Sequence, residues 1–107
     1  GKTQQNQVKQ IVLDTLSKLD VKVLKILLFG SRARNDYQED SDWDLLIILK
    51  NQATRDEKND ISYQIRRALA KLLISSDVIV RSQSEINKYT RRVNSVTKTA
   101  IEEGVPL

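Results

Sequence analysis

Two short apolar runs joined by a polar loop constrain this chain more than any other feature. The first, residues 21–29, carries Val23, Leu24, Ile26, Leu27, Leu28 and Phe29 almost without a break and stops at Gly30-Ser31. The second, residues 41–50, opens with Ser41-Asp42-Trp43-Asp44 and runs on as Leu45-Leu46-Ile47-Ile48-Leu49. Such runs read as strands covered on both sheet faces. Side chains alternate along a strand, so Asp42 and Asp44 share one side, while Trp43 points away into the opposite core layer as packing. Two carboxylates so placed repel unless a cation lies between them. Asp42 alone reads as a polar residue at a strand entrance. Asp44 is harder to dismiss, because an unpaired charge inside an apolar strand costs on the order of several kcal/mol.

The turn between the runs has two readings. Gly30 permits a sharp turn and a close backbone approach to a ligand. Ser31 can cap a short helix, or its hydroxyl and the free N–H groups beside it can hold phosphate. An isolated Gly-Ser is more often an ordinary strand-to-helix turn. Asn35 suits a position with positive φ, and residues 36–40 read as loop.

Composition narrows the chemistry. The 107 residues, 39% apolar and 30% charged, read as one domain over 1–107, with no room for a separate substrate domain. No apolar run nears the ~18 residues of a membrane span. The lack of cysteine and of a signal-peptide pattern fits a cytoplasmic protein without a membrane partner. Zero histidine removes Ser-His and Cys-His catalysis and the usual zinc sites, which leaves carboxylates as metal ligands. The net charge of +4 is uneven: Asp36, Glu39, Asp40, Asp42 and Asp44 cluster early, and Arg81, Lys88, Arg91, Arg92 and Lys98 late. No basic, aromatic-studded strand suits base stacking, so nucleic acid is not the favoured direct target. Most of these charges read as solvated helix faces.

The remaining elements follow from periodicity. Residues 3–19, with Val8, Ile11, Val12, Leu16 and Leu19, predict an amphipathic helix. Thr54-Arg55-Asp56-Glu57 is a capping box that opens a helix with Ile61, Ile65, Ala68, Leu69 and Leu72 on its core face, broken at Ser75-Ser76. Residues 77–80 predict a third strand with Asp77 at its mouth. A lone Asp there is usually turn chemistry, yet a third carboxylate beside the first two is what a two-metal site needs. Ser82-Gln83-Ser84-Glu85 is a second capping box, and Ile86, Tyr89, Val93, Val96, Ala100 and Ile101 form one stripe up to Gly104, the expected helix cap. Residues 105–107 read as an extended tail.

Gly30-Ser31-Arg32-Ala33-Arg34 followed by Ser41-Asp42-Trp43-Asp44-Leu45 resembles the GSxxR…SDxDL signature of the DNA-polymerase-β-like nucleotidyltransferases, and most of all their minimal members. The resemblance covers essentially the whole chain. It implies an α+β nucleotidyltransferase fold, a small mixed sheet with helices packed on it in the order α-β-α-β-α-β-α. It implies that Gly30 and Ser31 hold the β- and γ-phosphates of ATP, that Arg34 and, secondarily, Arg32 neutralise phosphate, and that Asp42, Asp44 and Asp77 are catalytic carboxylates holding two Mg²⁺. Asn35 departs from the glycine common in the family but can take the same conformation. Minimal nucleotidyltransferases are typically paired with a helical HEPN protein, and as antitoxins can transfer AMP to a tyrosine of that toxin. The resemblance therefore implies a Mg-ATP-dependent protein adenylyltransferase whose acceptor surface comes from a partner. The competing reading is a non-catalytic binding module that neutralises its partner by contact. The basic residues Arg91, Arg92 and Lys98 are the candidate partner surface.

Overall fold

The computed structural model describes residues 2–91 and 95–107. Strand β1 (Val23–Phe29) and strand β2 (Trp43–Leu49) pair antiparallel, and the four-residue helix α2 (Ser31–Arg34) sits in the connection between them. Helix α3 (Arg55–Ala70) then crosses over to strand β3 (Ser76–Ser82), which lies parallel to β2. Parallel neighbours require such a crossover. Helix α1 (Lys2–Lys18) precedes the sheet; helices α4 (Gln83–Thr90) and α5 (Val96–Glu103) and strand β4 (Val105–Pro106) follow it. The sheet order is β3-β2-β1-β4, so the α+β class with a mixed sheet is observed.

Each sheet face has its own cover. Trp43, Leu45, Ile47, Val78 and Val80 meet Val8, Val12 and Leu16 of α1 and Ile61, Ile65 and Leu69 of α3. On the other face Leu27, Phe29, Leu46 and Ile48 meet Ile86 of α4 and Ala100 of α5. Leu45, Leu46 and Ile47 are therefore sealed from both sides, and Trp43 points away from Asp44 as its alternation requires. The start of β1 departs from expectation: Leu24 is half-exposed, at the irregularity between Val23 and Lys25 where the pairing with β2 skips it.

The larger departures from the sequence reading lie at the end of α3, in the last helix and in the tail. Helix α3 ends at Ala70, not at Ser75. The Leu73 N–H donates to the Ala70 carbonyl at 2.9 Å and the Ile74 N–H to the Leu69 carbonyl at 3.1 Å, with Leu73 at φ 60°. This closure turns the chain off the helix and leaves Leu72 exposed rather than in the core. The expected single last helix is split, because the Ser95 hydroxyl donates to the Tyr89 carbonyl at 3.1 Å and accepts the Lys98 N–H at 2.9 Å. One side chain thus ends α4 and starts α5. Arg92 and Val93 lie outside the described residues. The tail is strand β4: Val105 and Pro106 pair with Leu28 and Leu27, and the Leu107 N–H donates to the Ile26 carbonyl at 3.0 Å. Gly104 caps α5 in an extended conformation, and its glycine is needed for space, since a Cβ would lie 2.2 Å from the Ala100 carbonyl oxygen.

Both capping boxes form at their carboxylates. The Thr54 N–H donates to Glu57 at 2.8 Å, and the Glu57 N–H to the Thr54 hydroxyl at 3.1 Å. Glu85 accepts the Ser82 N–H at 2.8 Å and two bonds from Lys58 at 2.9 and 3.0 Å, which ties α3 to the start of α4. Among the described residues no helix is long and apolar enough to cross a membrane.

Burial pushes the Glu85 carboxyl up, but the Ser82 N–H, Lys58 and Arg81 outweigh it and leave it below its ordinary value. The native state then holds fewer protons there than the unfolded chain, so its stabilising contribution is full above the unfolded carboxyl range and lost as pH falls through the lowered native value. Glu85→Gln should lower stability by about 1 kcal/mol near neutral pH. Denaturant titrations should show that difference closing below about pH 4.

Candidate active site

The mouth of the sheet gathers the singled-out residues from three strands. Phe29 is opposite Asp44 in the antiparallel pair, and Asp44 is in register with Asp77 across the parallel pair. Gly30, the next residue after Phe29, has φ 74°. A Cβ there would lie 2.2 Å from Asp44 Oδ2. The Asp44 carboxylate thus occupies the room that a side chain at position 30 would fill, and glycine is required both for space and for handedness.

From Gly30 the chain enters α2, where the Ala33 and Arg34 N–H groups both donate to the Gly30 carbonyl at 3.1 Å. No side chain caps the start of this turn, which leaves its first N–H groups without a side-chain partner. Asn35 closes the turn at φ 63°, the left-handed position its side chain tolerates.

The carboxylates differ in setting. Asp44 is half-buried, whereas Asp42 and Asp77 are exposed. Burial raises the Asp44 carboxyl above its ordinary value, the charges of Asp77 and then Asp42 raise it further, and Arg34 opposes them. Asp44 therefore feels both of the other aspartates. Among the described residues, however, no group of three or more metal-ligating side chains closes around a common point. Asp42 is turned toward the Ser75 hydroxyl, which donates to its Oδ1. Oxygen-only donors suit a hard cation such as magnesium rather than zinc, and a cation would relieve the repulsion that raises Asp44.

The two arginines have different placements. Arg34 is exposed, pairs with Asp36 at 3.2 Å and acts electrostatically on Asp44. Arg32 is only 6% exposed. Its Nε donates to the Ser41 carbonyl and its Nη2 to the Glu39 carbonyl, both at 3.0 Å, and its guanidinium lies 4.6 Å from the Tyr37 ring and 4.7 Å from the Trp43 ring. These contacts engage Arg32 in fastening the loop that delivers Asp42. Tyr37 and Ser75 are the two contributors that the sequence reading missed. Ser75 carried a signal, since it directly precedes the strand paired with β2; Tyr37 carried none.

Residues 9–102 match the family model described as "Polymerase beta, Nucleotidyltransferase". The chain belongs to this nucleotidyltransferase family. A candidate protein adenylyltransferase of Methanocaldococcus jannaschii, MJ0604, is 30% identical over an alignment of 104 positions that covers 94% of each chain. A solved candidate minimal nucleotidyltransferase superposes with TM-score 0.61 at 20% identity, over 99% of this chain and 94% of the other. The chain also superposes, with TM-score 0.58 at 12% identity, on a structure of a tri-AMPylated Shewanella oneidensis HEPN toxin in complex with its MNT antitoxin, over 98% of this chain and 69% of the matched one. At these identities the superpositions establish the shared nucleotidyltransferase fold.

Two outcomes follow from the mouth's geometry. Gly30→Ala should destabilise the fold by about 1–3 kcal/mol, because the methyl meets Asp44 and the backbone conformation is left-handed; thermal unfolding measures it. Asp44→Asn should do the reverse near neutral pH. A raised native carboxyl pKa means that the native state holds more protons than the unfolded chain, so stability falls as pH rises through that value and the penalty is complete above it. The variant should therefore melt higher than the parent near pH 7 without added metal, and the gain should vanish in acid, where both forms are neutral.

Proposed function

We propose that this nucleotidyltransferase transfers AMP from ATP to a hydroxyl of a partner protein, with a tyrosine of a helical HEPN toxin as acceptor, and so serves as an antitoxin. The observation that carries the reading is the register of Asp44 with Asp77 beside a glycine turn into which Asp44 fits. The whole-length likeness to a candidate protein adenylyltransferase and the fold shared with an MNT antitoxin bound to its AMPylated toxin support it.

In this reading Gly30 and Ser31 seat the β- and γ-phosphates, using the uncapped N–H groups of the α2 turn. Arg34 sits on the carboxylate side and offsets phosphate charge. Arg32 is a positioning residue that holds the loop before Asp42. Asp42, Asp44 and Asp77 would hold two Mg²⁺, whose chemistry when bound is to offset charge on the attacking and leaving oxygens of an in-line displacement. Asp77, exposed at the strand mouth, faces the acceptor and accepts the proton of its hydroxyl. The oxygen–phosphorus bond to the acceptor forms as the α–β phosphoanhydride breaks and pyrophosphate leaves. In this reading the work is done in the cytoplasm, where ATP is the substrate and the HEPN protein the partner.

Calorimetric titration with ATP, with and without Mg²⁺, tests the site. Metal-dependent binding that falls at least about tenfold in Asp44→Asn is expected. Incorporation of α-labelled ATP into the partner should fall by about 10² or more in the same variant. If Asp44→Asn still protects cells from the partner toxin, inhibition by contact replaces this reading.

A further inference from the structure

Strand β3 is an edge of the sheet, and a groove of about 560 Å³ runs along its free side between α3 and α4. The Trp43 N–H donates to the Ser75 carbonyl at 2.9 Å. In a parallel ladder this register turns the backbone groups of residues 77, 79 and 81 toward β2 and those of 78, 80 and 82 outward. The side-chain bonds agree. The Val78 carbonyl accepts from Ser62 at 2.7 Å, the Val80 carbonyl accepts from Arg81 at 3.0 Å, and the Ser82 N–H donates to Glu85. The N–H groups of Val78 and Val80 are left facing the groove, and each carbonyl retains a second lone pair.

The groove walls are cationic. Arg55, Lys58 and Arg81 line it, and no carboxylate does. Lys58 is engaged with Glu85, whereas Arg55 has no ion pair among the described residues. The aromatic ring in the groove, Tyr89, is covered by the Arg81 guanidinium at 4.4 Å, so it offers no open platform for base stacking. Outward N–H groups spaced two residues apart on a strand, flanked by cations, fit an extended polypeptide with acidic side chains.

The groove begins beside Val78, one residue after Asp77. We propose that it is the acceptor track: an acidic, extended segment of the partner protein adds to the free edge of β3 and carries its hydroxyl residue to Asp77. This rests on the nucleotidyl-transfer reading above. Val80 lies three residues from Asp77, about 10 Å along the strand, so a short segment spans groove and mouth. A residue aligned beside Asp77 in an added strand points to the same sheet face as Asp77 and Asp44. Acidic neighbours on that face meet Arg81, and those on the other meet Arg55 and Lys58.

Fluorescence anisotropy tests this with labelled peptides. The first places Asp and Glu around a single tyrosine; the second has proline at alternate positions, which removes the N–H groups a ladder needs; the third replaces the acids by lysine. A uridine oligonucleotide of matching charge is the fourth probe. The acidic peptide should bind tightest, and Arg55→Glu should weaken it about tenfold. Glutamate at the first turn of α3 suits the helix dipole, so the variant should fold. Equal binding of the proline peptide, tighter Arg55-dependent binding of the oligonucleotide, or no effect of Arg55→Glu would overturn the proposal. ATP titration of the unaltered chain separates the two ideas: Arg55-dependent peptide binding with no ATP binding would sink nucleotidyl transfer and leave a peptide groove.

Discussion

Everything at the mouth of this sheet depends on keeping a carboxylate at the end of a strand pair that is otherwise apolar on both faces. Asp44 is held where burial and two neighbouring aspartates make its charge unfavourable. The room for it exists only because position 30 lacks a side chain. Such an arrangement works against stability, and Leu45, Leu46 and Ile47 directly behind it supply fully buried packing that outweighs it. Function and fold meet at a single peptide step, between Phe29 and Gly30.

Much of this was legible in the chain. Continuous Leu and Ile runs marked the two central strands, Thr54 and Glu57 marked the start of α3, and the alternation around Trp43 placed it opposite the aspartates. These are local signals, and local physics reads them. The misses were decided by partners distant in sequence or by individual hydrogen bonds at the ends of helices. The stripe Ile86, Tyr89, Val96, Ala100 keeps helical spacing although α4 ends at Thr90 and α5 starts anew at Val96 behind the Ser95 cap. The β4 strand exists because β1 has a free edge there, which no propensity of Val105 or Pro106 announces. The resemblance gave Arg32 a secondary role at phosphate; its inward turn toward two rings and two carbonyls is something only the folded loop brings together.

The three strands divide their tasks. The end of β1 leads into the glycine turn, β2 and the residue just before it supply the first two carboxylates, and β3 the third carboxylate together with an open edge. Lys58 and Glu85 tie α3 to the start of α4 beside that edge. A site and a surface that share one strand are mechanically coupled, since a chain that pairs with the edge also fixes the backbone carrying Asp77.

The parallel pairing of β2 with β3 has a consequence for how the protein is born. Asp42 and Asp44 leave the ribosome early, but Asp77 reaches them only after the whole of α3 has been synthesised and folded back as the crossover. Closing a non-local parallel pair is among the slower steps of folding, and chains generally fold as they emerge. A truncated or stalled product would hold the first two carboxylates and the glycine turn, yet never the third. Completeness of the carboxylate set thus reports completeness of the crossover.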